Sequence, residues 1–159
     1  MKKIHVPDLP ESFSVSPKGK YARGLKDISV ALGRNPDSTD LRERHPFDVQ
    51  LCRIPAGKMR SPYHLHTAQY EYFQVLAGSG SVRHAGGTTP VVAGDAFFFE
   101  PGEAHQLIAD GPEDFVLLVV ADNPLSEGCY YPDSNKWLIA KNDEAIMRAP
   151  AIPYFDGEE

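Results

Sequence analysis

His64 and His66 stand one residue apart in the stretch GKMRSPYHLHTAQYEYFQVLAG, which runs from Gly57 to Gly78, and Glu71 follows five residues after His66. In extended backbone the side chains alternate faces, so residues two apart point the same way. The pair therefore presents two imidazoles to one side, at a spacing that a single ion can bridge. Glu71 can return to the same ion if the chain bends between Thr67 and Tyr70. A third imidazole is available from His105 in EPGEAHQL, a short segment bounded by turn residues. Three neutral nitrogens and one carboxylate form a borderline-hard donor set that suits Mn, Fe, Co, Ni or Zn.

A His-x-His pair also fits two polar residues facing outward from a strand. The residues downstream oppose that reading. Glu71, Phe73 and Val75 share one face of an extended segment, so that face is apolar and interior. An unpaired carboxylate there would cost stability or force a raised pKa, and an ion removes the cost. Tyr70, Tyr72 and Gln74 face the other way. His105 shares its face with Leu107, whereas His5, His45 and His84 have no comparable context, and His84 beside Gly86-Gly87 reads as a surface hairpin residue. Arg53, Lys58 and Arg60 lie on the approach to the site; they could meet an anionic substrate or be solvated loop charges. Tyr63, Gln69 and Glu103 are the nearby names for an acid or base, and none has a spacing that singles it out.

The elements that must position these groups are short strands. Fourteen prolines and 13 glycines interrupt the chain too often for long helices. Strands are predicted over residues 25–32, 47–52, 70–76, 81–84, 88–92, 96–99, 105–108 and 115–121, with a polar turn region over 34–45. Gly86-Gly87 marks a hairpin. The spacing near ten residues points to an all-β sandwich or barrel. One short helix is predicted over Asn142 to Arg148, with Asn142 as its cap. Residues 1–20, with Pro7, Pro10 and Pro17, read as an extended arm, 21–125 as the barrel, and 126–159 as an extension packing on it.

The chain of 159 residues, 42% hydrophobic, can bury one substantial core. A formal charge of −6 and the lack of a basic stripe argue against nucleic acid as a partner. Cys52 and Cys129 lie in unlike contexts and form no knuckle motif, though spacing alone leaves a disulfide open. The longest apolar run, 115–121, is too short to span a bilayer, and MKKIHVPDLPESF has no apolar run of signal length. A soluble, cytoplasmic protein with no membrane or nucleic-acid partner is the expectation.

These residues carry a family pattern, and the chain resembles the cupin superfamily. Gly57, His64, His66, Glu71 and Gly78 match its first motif, with six spacers after the leading glycine where five are usual. Gly94, Gly102 and His105 match the second, with Glu100 where proline is usual and Ala109 where asparagine is usual. The two motifs cover roughly residues 47 to 120. The resemblance implies an antiparallel jelly-roll β-barrel, a cupin-like double-stranded β-helix. It also implies one divalent transition metal (Zn, Fe, Mn or Ni) on His64, His66, Glu71 and His105. Association as a homodimer is implied as well, since single-domain cupins commonly pair. The C-terminal YYPDSNKW and IPYFDGEE resemble the tail of a small group of single-domain cupins labelled sugar-phosphate isomerase-like.

A fold shared this widely does not name a substrate. Two function classes stay open. One is a metal-dependent enzyme of isomerase or dioxygenase type on a small oxygen-rich or aromatic metabolite. The other is a non-catalytic binding or sensing protein whose metal is structural or anchors a ligand. An acid or base beside an open coordination position favours the first, and a mouth lined wholly with Phe, Leu and Tyr favours binding or an apolar aromatic substrate. No helix-turn-helix segment accompanies the strands, which disfavours a DNA-binding regulator.

Overall fold

Glu71, Phe73 and Val75 point inward with Tyr72 and Gln74 only half-buried between them, and this period of two organises most of the chain. The computed structural model describes residues 1–139, 146–148 and 150–157. In chain order the first strands are β1 (Ser12–Val15), β2 (Ala22–Asp27), β3 (Phe47–Ile54), β4 (Leu65–His66) and β5 (Glu71–Ala77). Then come β6 (Ser79–His84), β7 (Gly87–Val92), β8 (Ala96–Phe99), β9 (His105–Ile108) and β10 (Phe115–Asp122). The last are β11 (Cys129–Tyr131), β12 (Lys136–Leu138) and β13 (Ile146–Met147). Two single helical turns, α1 (Ile28–Ala31) and α2 (Leu41–Arg44), lie between β2 and β3.

One sheet has the order β1-β2-β3-β10-β5-β8, a second β7-β6-β9 and a third β13-β12-β11-β4, and neighbouring strands run antiparallel. This is the all-β jelly roll predicted from the sequence. The core lies between the first two sheets, where Ile54, Phe73, Val75, Leu107, Phe115 and Leu117 are fully buried. Gly78 joins β5 to β6 with φ +74°, and a Cβ there would meet the Asp114 carbonyl oxygen at 2.2 Å, so no other residue fits that turn unaltered. Gly86 and Gly87 make the predicted hairpin between β6 and β7.

Three sequence expectations change. The run 25–32 is not one strand: β2 ends at Asp27 and Ile28–Ala31 forms a helical turn. Its short apolar pattern suits either state, and Ser29 decides it by bonding the Asp48 carboxylate and accepting the Val49 N–H. Within 34–45 the Asp40 side chain accepts from Arg42 N and starts α2. Of the helix expected over Asn142 to Arg148, residues 142–145 lie outside the described residues. Ile146 and Met147 form a strand instead, paired with Leu138 and Trp137, because the edge of β12 offers them backbone partners. In the N-terminal segment β1 pairs with β2 of its own chain. Among the described residues no helix is long and apolar enough to cross a membrane.

Candidate metal centre

His64 and His105 come together through backbone. His64 N donates to His105 O at 3.1 Å and His105 N to His64 O at 2.8 Å, a mutual antiparallel bridge that sets the two side chains on one side of the ladder. His66 sits on β4, whose partner is β11 and whose opposite residue is Cys129. Gly102 N donates to His66 O at 2.8 Å and ties the turn before His105 to the same strand. Glu71 opens β5, between Phe99 of β8 and Ala121 of β10. Strands of all three sheets thus converge on one point.

His64, His66 and Glu71 offer ligand atoms within 4.8 Å of one another, and His105 meets them through Glu71. Glu71 Oε2 lies 2.9 Å from His105 Nε2 and 3.3 Å from His66 Nε2. Glu71 and His105 are almost fully buried, and the His105 ring stacks on Phe99 with centroids 4.1 Å apart. The other ring nitrogen of each histidine is engaged. His64 Nδ1 is 2.9 Å from Pro62 O, and His105 Nδ1 is 3.2 Å from Glu103 O. His66 Nδ1 is 3.3 Å from Glu127 Oε1 and 3.4 Å from Cys129 Sγ. Since carbonyls and carboxylates only accept, each Nδ1 carries a proton, which leaves each Nε2 as the nitrogen that could ligate an ion.

The residues fit a divalent ion on this account. Glu71 Oε2 and His105 Nε2 are buried, face each other at 2.9 Å and have no hydrogen-bond partner. Both atoms aim at one buried point, and a cation there would be held by both. The neighbouring charges are arranged accordingly. Burial raises the Glu71 pKa, but His105, His66 and Arg60 outweigh it and hold the carboxyl well below its ordinary range. Burial, with His105 beside it, lowers His64 to about 3, so its imidazole is neutral. Burial opposes a charge on His66 too, yet Cys129, Glu127 and Glu71 together push it up to about 12. These partners favour the protonated His66, and an ion held there would compete with its Nε2 proton.

A cavity of about 370 Å³ opens onto this cluster. Its wall carries His64, His66 and Glu71 together with Arg23, Arg34, Arg60, Gln50, Gln69 and Asn123. No Phe, Tyr or Trp lines it among the described residues.

Other residues sort by location. Arg60 is buried with Nη1 3.7 Å from Glu71 Oε1 and its guanidinium over the Phe73 ring. Arg53 instead pairs with Glu11 and Asp114, and Lys58 donates to Gly19 O. Tyr63 is buried under the Arg83 guanidinium, and the Glu103 carboxylate accepts from Glu100 N, so neither reaches the cavity. Gln69 lines it, but its amide donates to Asp122 O and is no base. Cys52 and Cys129 are unbridged. Glu127 and Cys129, which contact His66, were not foreseen, and no local signal in the sequence marks them.

Residues 50–121 match the Cupin domain family. That match covers both histidine segments, and the jelly roll built around them is the fold of solved cupins. The chain carries a cupin domain over residues 50–121. Among curated proteins this cupin is similar to the oxalate-binding protein of Thermotoga maritima, 33% identical over 68 residues, 43% of this chain and 55% of the relative. The chain thus spans about half the length of the curated relative it matches. Among solved structures it is similar to a protein of Acidithiobacillus ferrooxidans provisionally named a sugar phosphate isomerase, with TM-score 0.78 and 23% identity. That likeness covers 93% of this chain and 92% of the other. A cupin named sugar phosphate isomerase from Silicibacter pomeroyi is similar at TM-score 0.76 and 24% identity, over 92% of each chain. At these identities the structural likeness is one of fold.

Proposed function

We propose that this cupin is a metal-dependent enzyme acting on a small oxygen-rich metabolite by direct coordination to an ion held by His64, His66, Glu71 and His105. The observation that carries the reading is the convergence of Glu71 Oε2 with His105 Nε2 at 2.9 Å and His66 Nε2 at 3.3 Å, beside an open cavity that His64, His66 and Glu71 line. An ion there supplies Lewis acidity toward a hydroxy-acid, hydroxy-ketone or enediol. The wall narrows the choice of substrate. Without an aromatic face and with three guanidiniums, it favours oxygen-rich metabolites over flat aromatic ones. The names of the similar proteins, oxalate-binding and sugar phosphate isomerase, fall in that same chemical class.

A second reading has its own support. Besides Glu71, the carboxylates on the wall are Asp48 and Glu127, and both are engaged. Asp48 bonds Ser29 and faces Arg34, while Glu127 accepts from Thr67 N and Ala68 N and faces His66. A cavity without an unengaged general base suits a binding cupin in which the ion anchors the ligand. Screening hydroxy-acids, sugar phosphates and catechols against the metal-loaded protein separates the two. Turnover that disappears in His105→Ala supports the enzyme, whereas tight binding of one class without turnover supports the binding protein. Parent-like metal content in His66→Ala would overturn both.

A further inference from the structure

Three guanidiniums line the cavity, and they differ in how they are satisfied. Arg34 is engaged: Nη2 donates to Asn123 Oδ1 at 2.9 Å and Nη1 faces Asp48 Oδ2 at 3.6 Å. Arg60 is held more loosely: its side chain is only 9% exposed, Nη1 pairs with Glu71 Oε1 at 3.7 Å, the guanidinium lies beside Cys52 and over the Phe73 ring, and its Nε, like that of Arg34, has no partner. Arg23 on β2 is half-buried and makes no side-chain hydrogen bond or ion pair among the described residues. Arg23, Arg60, His64 and Cys129 form the wall shared by the main cavity and a second one of about 430 Å³.

Two cations on one wall that keep unfilled donors while partly out of water gain from an anion that joins them. The planar fork of a guanidinium matches two oxygens of a phosphate or carboxylate. The charge count agrees. Three arginines on the wall face three carboxylates, Asp48, Glu71 and Glu127, so with neutral imidazoles a divalent ion leaves the cavity doubly positive.

We propose that Arg23 and Arg60 form an anion subsite that takes the phosphate or carboxylate group of a small oxyanionic substrate beside the His64, His66, Glu71 and His105 cluster. This rests on the metal-dependent reading for its role, and it narrows that reading's substrate to one bearing such a group. Arg23 and Arg60 bind and orient; neither transfers a proton.

The test uses the ion-free full chain, so that coordination does not contribute, and follows inorganic phosphate by 31P NMR and labelled malonate by 13C NMR at constant ionic strength. Saturable binding of either probe is expected, and the probe that binds more tightly identifies the group. Arg23→Gln should weaken it by about ten- to a hundredfold, the loss typical of hydrogen bonds to a charged group. Arg42→Gln, an identical charge change on a fully exposed side chain, should leave it within twofold. If Arg23→Gln does not fold, Arg23→Lys carries the test, because it keeps the charge and loses the fork; weakening of about threefold or more is expected. Binding of neither probe, parent-like binding in the Arg23 variant, or equal weakening in Arg42→Gln would overturn the subsite. None of these arms contains an ion, so their failure leaves the metal reading standing. Metal retained by His66→Ala would instead overturn that reading and leave the anion arms unchanged.

Discussion

Replacing Glu127 with Gln changes one oxygen to an amide nitrogen beside His66 and leaves every presumed ligand in place. The Glu127 carboxylate accepts from Thr67 N at 2.9 Å with one oxygen and from Ala68 N at 3.1 Å with the other. The first oxygen also lies 3.3 Å from His66 Nδ1. A glutamine oxygen can keep the Thr67 or the Ala68 N–H, but its NH₂ then faces the remaining donor. Either the backbone or the imidazole loses its partner, and His66 Nε2 loses the orientation and basicity that the carboxylate gives it. Losses of this kind cost about 10–100-fold in metal affinity, or about 1.4–2.7 kcal/mol. The proton held on His66 opposes the ion and is also weakened by the substitution, which offsets part of the loss and places the expected value nearer tenfold. Competition against a chelator of known affinity, with Zn as the ion, reads this number, and a thermal melt of the ion-free variant shows whether the fold is intact. Zn affinity within twofold of the parent in a folded variant would refute the claim that Glu127 orients His66.

Phe73→Ala should cost about 3–5 kcal/mol, because the ring is fully buried against Phe97, Phe99 and His105; a urea midpoint equivalent to under about 1.5 kcal/mol would contradict that packing. Asp114 is held below its ordinary pKa by its hydrogen bond with Arg53 and the N–H of Ala56. A carboxylate depressed in the folded state adds stability above its unfolded pKa and loses it as pH falls through the folded value, so Asp114→Asn should flatten the acid limb of a melting-temperature profile below about pH 4 and leave little slope change at pH 7. Association as a homodimer is the remaining expectation, and a sedimentation mass of 17.5 kDa at micromolar concentration would rule it out.

The four ligand candidates were legible because their signals are local. The two-residue period of the strand sets His64 beside His66, and the same period puts Glu71 on the face of Phe73 and Val75. His105 needed a long-range contact, yet its turn glycine and following apolar residue marked the segment, and the backbone bridge to His64 completes it. Glu127 and Cys129 were not legible. Their closeness to His66 depends on β11 pairing with β4 across 63 residues between Cys129 and His66, and no local pattern encodes which strand an edge will choose. Arg23 and Arg34 escaped for a related reason: a charged residue reads as solvated until the fold closes over it. The strand expected over 25–32 failed where a serine side chain, not periodicity, chose the backbone state.

Part of the cavity wall and the candidate ligands have different addresses in the chain. His64, His66, Glu71 and His105 all fall within 50–121, whereas Arg23 and Arg34 precede that stretch and Asn123, Glu127, Cys129 and Leu138 follow it. The flanks can therefore drift, or be transplanted from another cupin, and recast what the cavity accepts while the coordination set stays untouched. A chimera carrying foreign flanks around residues 50–121 should load the same ion and prefer a different small molecule. Inheritance of that kind would let one mineral heart serve many diets.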